Sequence, residues 1–391
     1  MLRVLHITES IPASAGGTST AFVEMVEALL TQGAACQVHA AIQPVPEGDE
    51  ARSWIAHHPP GTWHVTGPRG GLLAAGMAAS VRALVNSWNP SVVCVHGLWC
   101  TDTVAAALHA QAKGVPVVWH PHGMLVRAAL RHSPLKKAVF KTLWLARALR
   151  HAAAVVFTSE NERETSDLAM LGEGTRRVVL PLPVNIDTAE DDLAALRAEG
   201  RAALGLHESV PLVSFIGRLH PVKRVELSIA AFAAARACAP DARLVLIGSG
   251  DDVYVATLRA LAARLGVEGA VVFAGWKNGR EKRAILAAAD VMILNSEFEN
   301  FGYAIVESLG LGTPVVCSEN LSLAAEMVRA GAGRSAPGEP AALGAALAAV
   351  LAMPPHERRA AGVRGRRWVV ESFSRQAVGA RMVELYRALL A

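Results

Sequence analysis

Two carboxylates, Glu299 and Glu307, stand with seven residues between them in NSEFENFGYAIVESLGLGTPVV, which runs from Asn295 to Val316. The first precedes a segment of helical pattern and the second lies inside it. Eight residues of helix would rise about 12 Å, more than the roughly 5 to 9.5 Å that separates the carboxylates of a glycosidase pair. The spacing therefore predicts two contacts on one long ligand, each accepting hydrogen bonds from hydroxyls, and not an acid–base dyad. Phe301 and Gly302, with Asn300 just before them, fall at the expected helix start. There, backbone N–H groups lack helical partners, and a glycine lets a phosphate or sugar approach the main chain. In FIGRLHPVKR, Arg218 and Lys223 put two cations on a short loop ahead of a helix, an arrangement suited to a pyrophosphate.

Two further stretches carry the same kind of signal. In HITESIPASAGGTSTAF a loop with Gly16 and Gly17 leads into an amphipathic helix whose N-terminus can meet an anion. It is not the G-x-G-x-x-G dinucleotide fingerprint, because the third glycine and its spacing are missing. In VVWHPHG, His120 and His122 flank Pro121 just after a strand.

These residues need elements to position them, and the chain supplies an alternation. RVLHIT, CQVHAAI, SVVCVHG, VPVVWH and AAVVFTS read as buried strands in the first half, and PLVSFIG, RLVLIG, AVVFAG, VMILN and PVVCS in the second. Segments of helical length and period separate them, as in VELSIAAFAAARACA. Strand–helix alternation in two halves predicts two doubly wound parallel sheets, whose ligands bind beyond the C-terminal ends of the strands. A break at LPLPVNIDTAEDDLAA divides the chain into a domain over residues 1–183 and another over 190–370, with a final helix over 371–391.

A chain of 391 residues is long enough for two well-filled cores, and 52% hydrophobic with 18% charged residues excludes a disordered chain. The opening MLRVLHITES has too few apolar residues for a signal peptide, and no stretch reaches the length of a membrane span, which predicts a cytoplasmic protein. Five cysteines without a C-x-x-C pair read as buried thiols. A net charge of +4 does not call for nucleic acid.

The order Arg218, Lys223, Glu299, Phe301-Gly302, Glu307 and Gly312-Thr313-Pro314-Val315-Val316 resembles the second domain of retaining glycosyltransferases of the GT-B fold, family 4. The resemblance implies two Rossmann-like domains facing a cleft, and a sugar moved from a UDP- or GDP-sugar to a glycan or lipid-linked acceptor in bacterial polysaccharide or glycoconjugate synthesis. It implies retention of configuration, no metal and no cofactor beyond the donor substrate. Under it, Glu299 contacts donor-sugar hydroxyls near the reacting carbon, Glu307 binds the ribose, and Arg218 and Lys223 hold the diphosphate. Gly17 faces the cleft, His122 lines it near the sugar, and the final helix crosses back to the first domain. Three positions depart from the family pattern: Asn300 and Arg224 stand where it usually has glycine, and Leu182-Pro183 replaces an Asn-Gly pair. No D-x-D follows a strand at a site position, and Asp251-Asp252 reads as a solvated loop near the nucleotide. The same fold also supports a sugar-nucleotide 2-epimerase or a non-catalytic nucleotide-sugar-binding protein.

At about 100° per residue, the helix in HSPLKKAVFKTLWLARALRH gathers Lys136, Lys137, Lys141 and Arg147 with Phe140, Leu143 and Trp144 on one face. It would turn Leu135, Ala138, Leu145 and Leu149 to the core. Cations mixed with aromatics suit an anionic membrane surface, so the expected location is cytoplasmic, peripheral to the inner face of the membrane.

Overall fold

The computed structural model describes residues 1–9, 17–41, 55–57, 63–66, 76–131, 133–186, 189, 192–297 and 299–391. They form two compact units. One comprises Met1–Asn185 together with Ser374–Ala391, and the other Ile186–Phe373.

The first unit is built on strands β1 (Arg3–Thr8), β2 (Ala35–Ala41), β3 (Trp63–Thr66), β4 (Val92–His96), β5 (Val117–His120), β6 (Ala154–Phe157) and β7 (Arg176–Val179). They pair in the order β3-β2-β1-β4-β5-β6-β7, every described pair parallel. β4, β5 and β6 are buried along their whole length. That is why VVCVH and AVVF read as continuous apolar runs: helices cover both faces of a parallel sheet. The final helix, Arg375–Ala388, packs in this unit. Arg375 donates to both carboxylate oxygens of Glu24, at 2.7 and 3.0 Å, and Tyr386 is fully buried beside Cys94. A Cβ at Gly379 would lie 2.2 Å from the Ala28 carbonyl, so glycine sets how closely this helix crosses Gly17–Thr31.

The second unit holds β8 (Leu212–Ile216), β9 (Arg243–Ile247), β10 (Val271–Gly275), β11 (Val291–Leu294), β12 (Val315–Ser318) and β13 (Gly333–Ala336), in the order β10-β9-β8-β11-β12-β13 and again all parallel. Buried Arg201 anchors it, donating to Asp290 at 2.8 Å and to the carbonyls of Ala288, His207 and Val210.

In each sheet the strand order reverses once, between β1 and β4 and between β8 and β11. Loops leaving the sheet there part to opposite faces and open a crevice at the strand ends. β3, β7 and β13 are strands beyond those the sequence pattern predicts; all three lie at sheet edges.

The helix predicted across residues 134–150 is not one regular cylinder. It runs as Pro134–Phe140, a π-helical turn Lys141–Leu145, and Ala146–Arg150. The wider turn breaks the 100° spacing, so the two ends present different faces. Leu145 and Leu149 are buried as expected, but Leu135 and Ala138 are exposed, and Phe140 is buried against Trp99 at 5.8 Å. Cys94, Cys100, Cys238 and Cys317 remain thiols; Cys94 and Cys317 are buried, whereas Cys238 is exposed.

Candidate functional site

At the reversal in the second unit, the loop after β8 and the loop after β11 are tied together. Glu297 donates its N–H to the Val222 carbonyl at 2.9 Å. The Lys223 ammonium forms an ion pair with the Glu299 carboxylate, whose Oε1 also accepts from Ser296 Oγ at 3.0 Å. The two side chains are 18% and 14% exposed, so the pair is largely shielded from water and still reachable. Ser322 and Asn320 donate to the carbonyls of Ser296, Glu297, Glu299 and Asn300, which fixes the loop's path.

The helix after this loop begins at Tyr303, not earlier, with Gly302 at φ +93° as its first cap. Only four residues of helix therefore separate Tyr303 from Glu307, a rise of about 6 Å, and the eight-residue helical span expected between the two glutamates does not form. Glu307 accepts from Lys282 at 2.9 Å, a partner on helix Gly279–Ala288 that no sequence signal marked. The Phe301 side chain is buried, edge-on to Tyr303 and Phe373 at 5.3 and 5.6 Å. It supports the loop from inside.

Arg218 is exposed and pairs with no described residue. Its neighbours are fixed: Gly217 and Leu219 donate to the Ile247 and Ser249 carbonyls at 3.0 and 2.8 Å. A Cβ at Gly248 would stand 1.9 Å from the Gly217 carbonyl, so this crossing requires glycine. Arg224 is left-handed at φ +45°, ψ +46°, a backbone that favours glycine, and its guanidinium lies 3.8 Å from the Glu297 carboxylate. Asp251 caps helix Asp252–Arg264, accepting from the Val253 and Tyr254 N–H groups at 3.0 and 3.2 Å; it is a structural cap where a solvated loop residue was expected.

At the reversal in the first unit stand four histidines. His96 and His120 end β4 and β5 in register, and their rings stack at 4.8 Å and 8°. His6 lies two residues before the Thr8 that pairs with His96, on the same sheet face. His6 Nδ1 lies 2.9 Å from His96 Nε2, and His96 Nδ1 lies 3.0 Å from His122 Nε2. His6, His96 and His120 are buried, and His122 is partly exposed. Burial lowers all four basicities: His6 to about 3, His122 to about 4, His96 and His120 well below the usual histidine value, with mutual repulsion adding to the last two. The rings are neutral at pH 7.

His122 sits at φ +50° in the turn that follows β5. The buried Glu162 carboxylate holds that turn, accepting from the Gly123 N–H at 2.6 Å and from the Thr158 N–H and hydroxyl at 2.7 Å each. His6, His96 and Glu162 escaped the sequence reading. A signal was present for the histidines: each strand at this reversal carries one at or near its C-terminal end. Gly17 opens helix Gly17–Thr31, and Gly16 lies outside the described residues. Among the described residues, no group of His, Cys, Asp and Glu is arranged to hold a metal ion.

The family described as Glycosyl transferases group 1 matches residues 197–368, and the Glycosyl transferase 4-like domain matches residues 16–183. A GDP-mannose-dependent alpha-(1-6)-phosphatidylinositol dimannoside mannosyltransferase of Mycobacterium tuberculosis is 30% identical over 327 residues, covering 82% of this chain and 80% of that protein. A D-inositol 3-phosphate glycosyltransferase of Xylanimonas cellulosilytica is 28% identical over 319 residues, covering 78% and 75%. The crystal structure of Anabaena HepE in complex with UDP superposes with a TM-score of 0.76 at 20% identity, covering 99% of this chain and all of that one. With two parallel α/β units and these similarities, the chain belongs to the group 1 glycosyltransferases of family 4 and has the GT-B fold.

Proposed function

We propose that this glycosyltransferase moves a sugar from a UDP- or GDP-sugar to a hydroxyl of a lipid-linked or growing glycan, with retention of anomeric configuration and without a metal. The observation that carries this reading is the Lys223–Glu299 pair at the second unit's strand reversal. When a nucleotide sugar enters, the lysine has a diphosphate to turn to and the carboxylate has sugar hydroxyls to accept from. Each partner exchanges one charge-assisted contact for another, so neither is left bare. Exposed Arg218 and the N–H groups at the start of helix Tyr303–Gly310 add positive potential where the leaving diphosphate gathers charge. Glu307, steadied by Lys282, is placed to accept from ribose hydroxyls. The acceptor hydroxyl attacks from the face the diphosphate leaves, and the departing phosphate takes its proton. The donor and the lipid acceptor named for the Mycobacterium tuberculosis relative, and the UDP bound by Anabaena HepE, support the substrate class.

Incubation with UDP-, GDP- and ADP-sugars tests the reading. Nucleotide release from one donor, accelerated by a polyprenyl- or phosphoinositide-linked glycan and yielding the same anomer, is expected. Binding without release, or epimerisation of the sugar, would replace it.

The helical segment Pro134–Arg150 docks the enzyme at an anionic membrane face on the cytoplasmic side. No described helix is long and apolar enough to cross a membrane. Leu135, Val139 and Leu143 form an exposed stripe, 81%, 55% and 62% accessible, beside exposed Lys136, Arg131 and Arg147. Lys137 and Lys141, expected on that face, are engaged instead: Lys137 bonds the Ala129 carbonyl at 2.6 Å and Lys141 pairs with Asp167 at 2.9 Å. Co-sedimentation with phosphatidylglycerol vesicles should drop in the Leu143→Ser, Lys136→Glu variant; unchanged binding would end the membrane assignment.

A further inference from the structure

The histidines at the ends of β1, β4 and β5 carry more than a stack of buried rings. A neutral imidazole has one N–H and one lone pair. A bond between two ring nitrogens therefore consumes one proton, given by one ring and received by the other. His96 spends both of its nitrogens this way, Nε2 on His6 and Nδ1 on His122. It must donate on one side and accept on the other. The two bonds consequently run in the same direction, and the three rings share one tautomer: all protonated at Nδ1, or all at Nε2.

The far end chooses between them. His6 Nε2 is buried and has no partner among the described residues. Were it protonated, a donor would be buried without an acceptor, the rarer and more costly kind of orphan. The near end is His122, the partly exposed ring, whose Nδ1 is bonded by no described group. Packing keeps the chain from rearranging. Phe22 abuts the rings of His6 and His96 edge-on, at 6.0 and 4.9 Å, and His120 covers His96.

We infer that His6 and His96 are positioning residues that lock His122 in the Nδ1–H tautomer, so that it offers substrate a fixed, neutral hydrogen-bond donor. The lock follows from the ring geometry and the buried His6 Nε2; its use in transfer rests on the reading that His122 meets the substrate. A ring held this way does not need to find its tautomer when the ligand arrives, and it does not serve as a base at Nδ1.

Nitrogen-15 NMR of histidine-labelled protein at pH 7 reads each ring nitrogen directly. The expected spectrum has His6, His96 and His122 all protonated at Nδ1. His96→Phe keeps an aromatic ring under His120 but removes both bonds, and His122 should then pass to a mixture of tautomers. Transfer in that variant should fall about fivefold in kcat with KM for the donor within about twofold. His96→Phe added to His122→Ala should cost nothing more. Different tautomers among the three rings in the wild type, Nε2 protonation throughout, or a His122 signal unmoved by His96→Phe would overturn the assignment. If the spectra are as expected but His122→Ala transfers sugar like the wild type, the lock stands and the catalytic reading of His122 falls.

Discussion

The loops after β8 and β11 carry ion pairs, Lys223 with Glu299 and, nearby, Lys282 with Glu307. The ends of β1, β4 and β5, at the same topological position in the other sheet, carry four histidines with no net charge between them at neutral pH. The first arrangement can meet a diphosphate because it sets lysines beside carboxylates, with all four side chains only partly exposed. The second presents directional hydrogen bonds without a field. On the proposed reading, one parallel-sheet architecture places charge where the leaving group departs, and neutral dipoles where hydroxyls are read.

The largest effect that would test this contrast is on stability. His6 and His122 titrate near 3 and 4 when folded, and near 6.5 when unfolded. Below pH 6.5 the unfolded chain takes up protons that the folded chain refuses, so stability falls as pH drops. The slope is about 1.4 kcal/mol per pH unit for each histidine held neutral, and it persists until the folded values are reached. Denaturant unfolding of the first unit between pH 7 and 5 should show this loss, with a shallower slope in His6→Phe; a flat profile would mean that the rings are not held neutral.

The charged edge is tested by transfer rate. Glu299→Ala and Lys223→Ala should each lower nucleotide release at least about tenfold, ~1.4 kcal/mol of barrier, because each removes one charge-assisted contact to the donor. Lys282→Ala, which only steadies Glu307, should cost about threefold, and in KM rather than kcat. Wild-type rates in the first two variants would move the chemistry away from this loop pair.

Much of this was legible along the chain. Central strands announce themselves as VVCVH or VMIL because both faces are buried, and apolar residues can then follow one another without alternation. β3, β7 and β13 did not, because edge strands such as RRVV and GRSA are partly exposed and tolerate polar residues. Glu299, Lys223 and His122 stood out as residue types at loop positions after strands. Their partners did not: Lys223 reaches Glu299 across 76 residues, and His96 reaches His6 across 90. The segment Pro134–Arg150 does not keep one face for a local reason: a π-turn changes the angle between the residues before it and those after it, and composition does not reveal it.

The sequence by itself determined the alternation of strands and helices, the division into two sheets and the loops that must lie at their C-terminal ends. These follow from local periodicity and burial, which each segment carries alone. Only the tertiary structure decided which of those loops meet, that Phe301 turns inward, and that three histidines bond in a line. Register between parallel strands sets such meetings, and register is a property of segments far apart in the chain, brought side by side by the crossover helices between them.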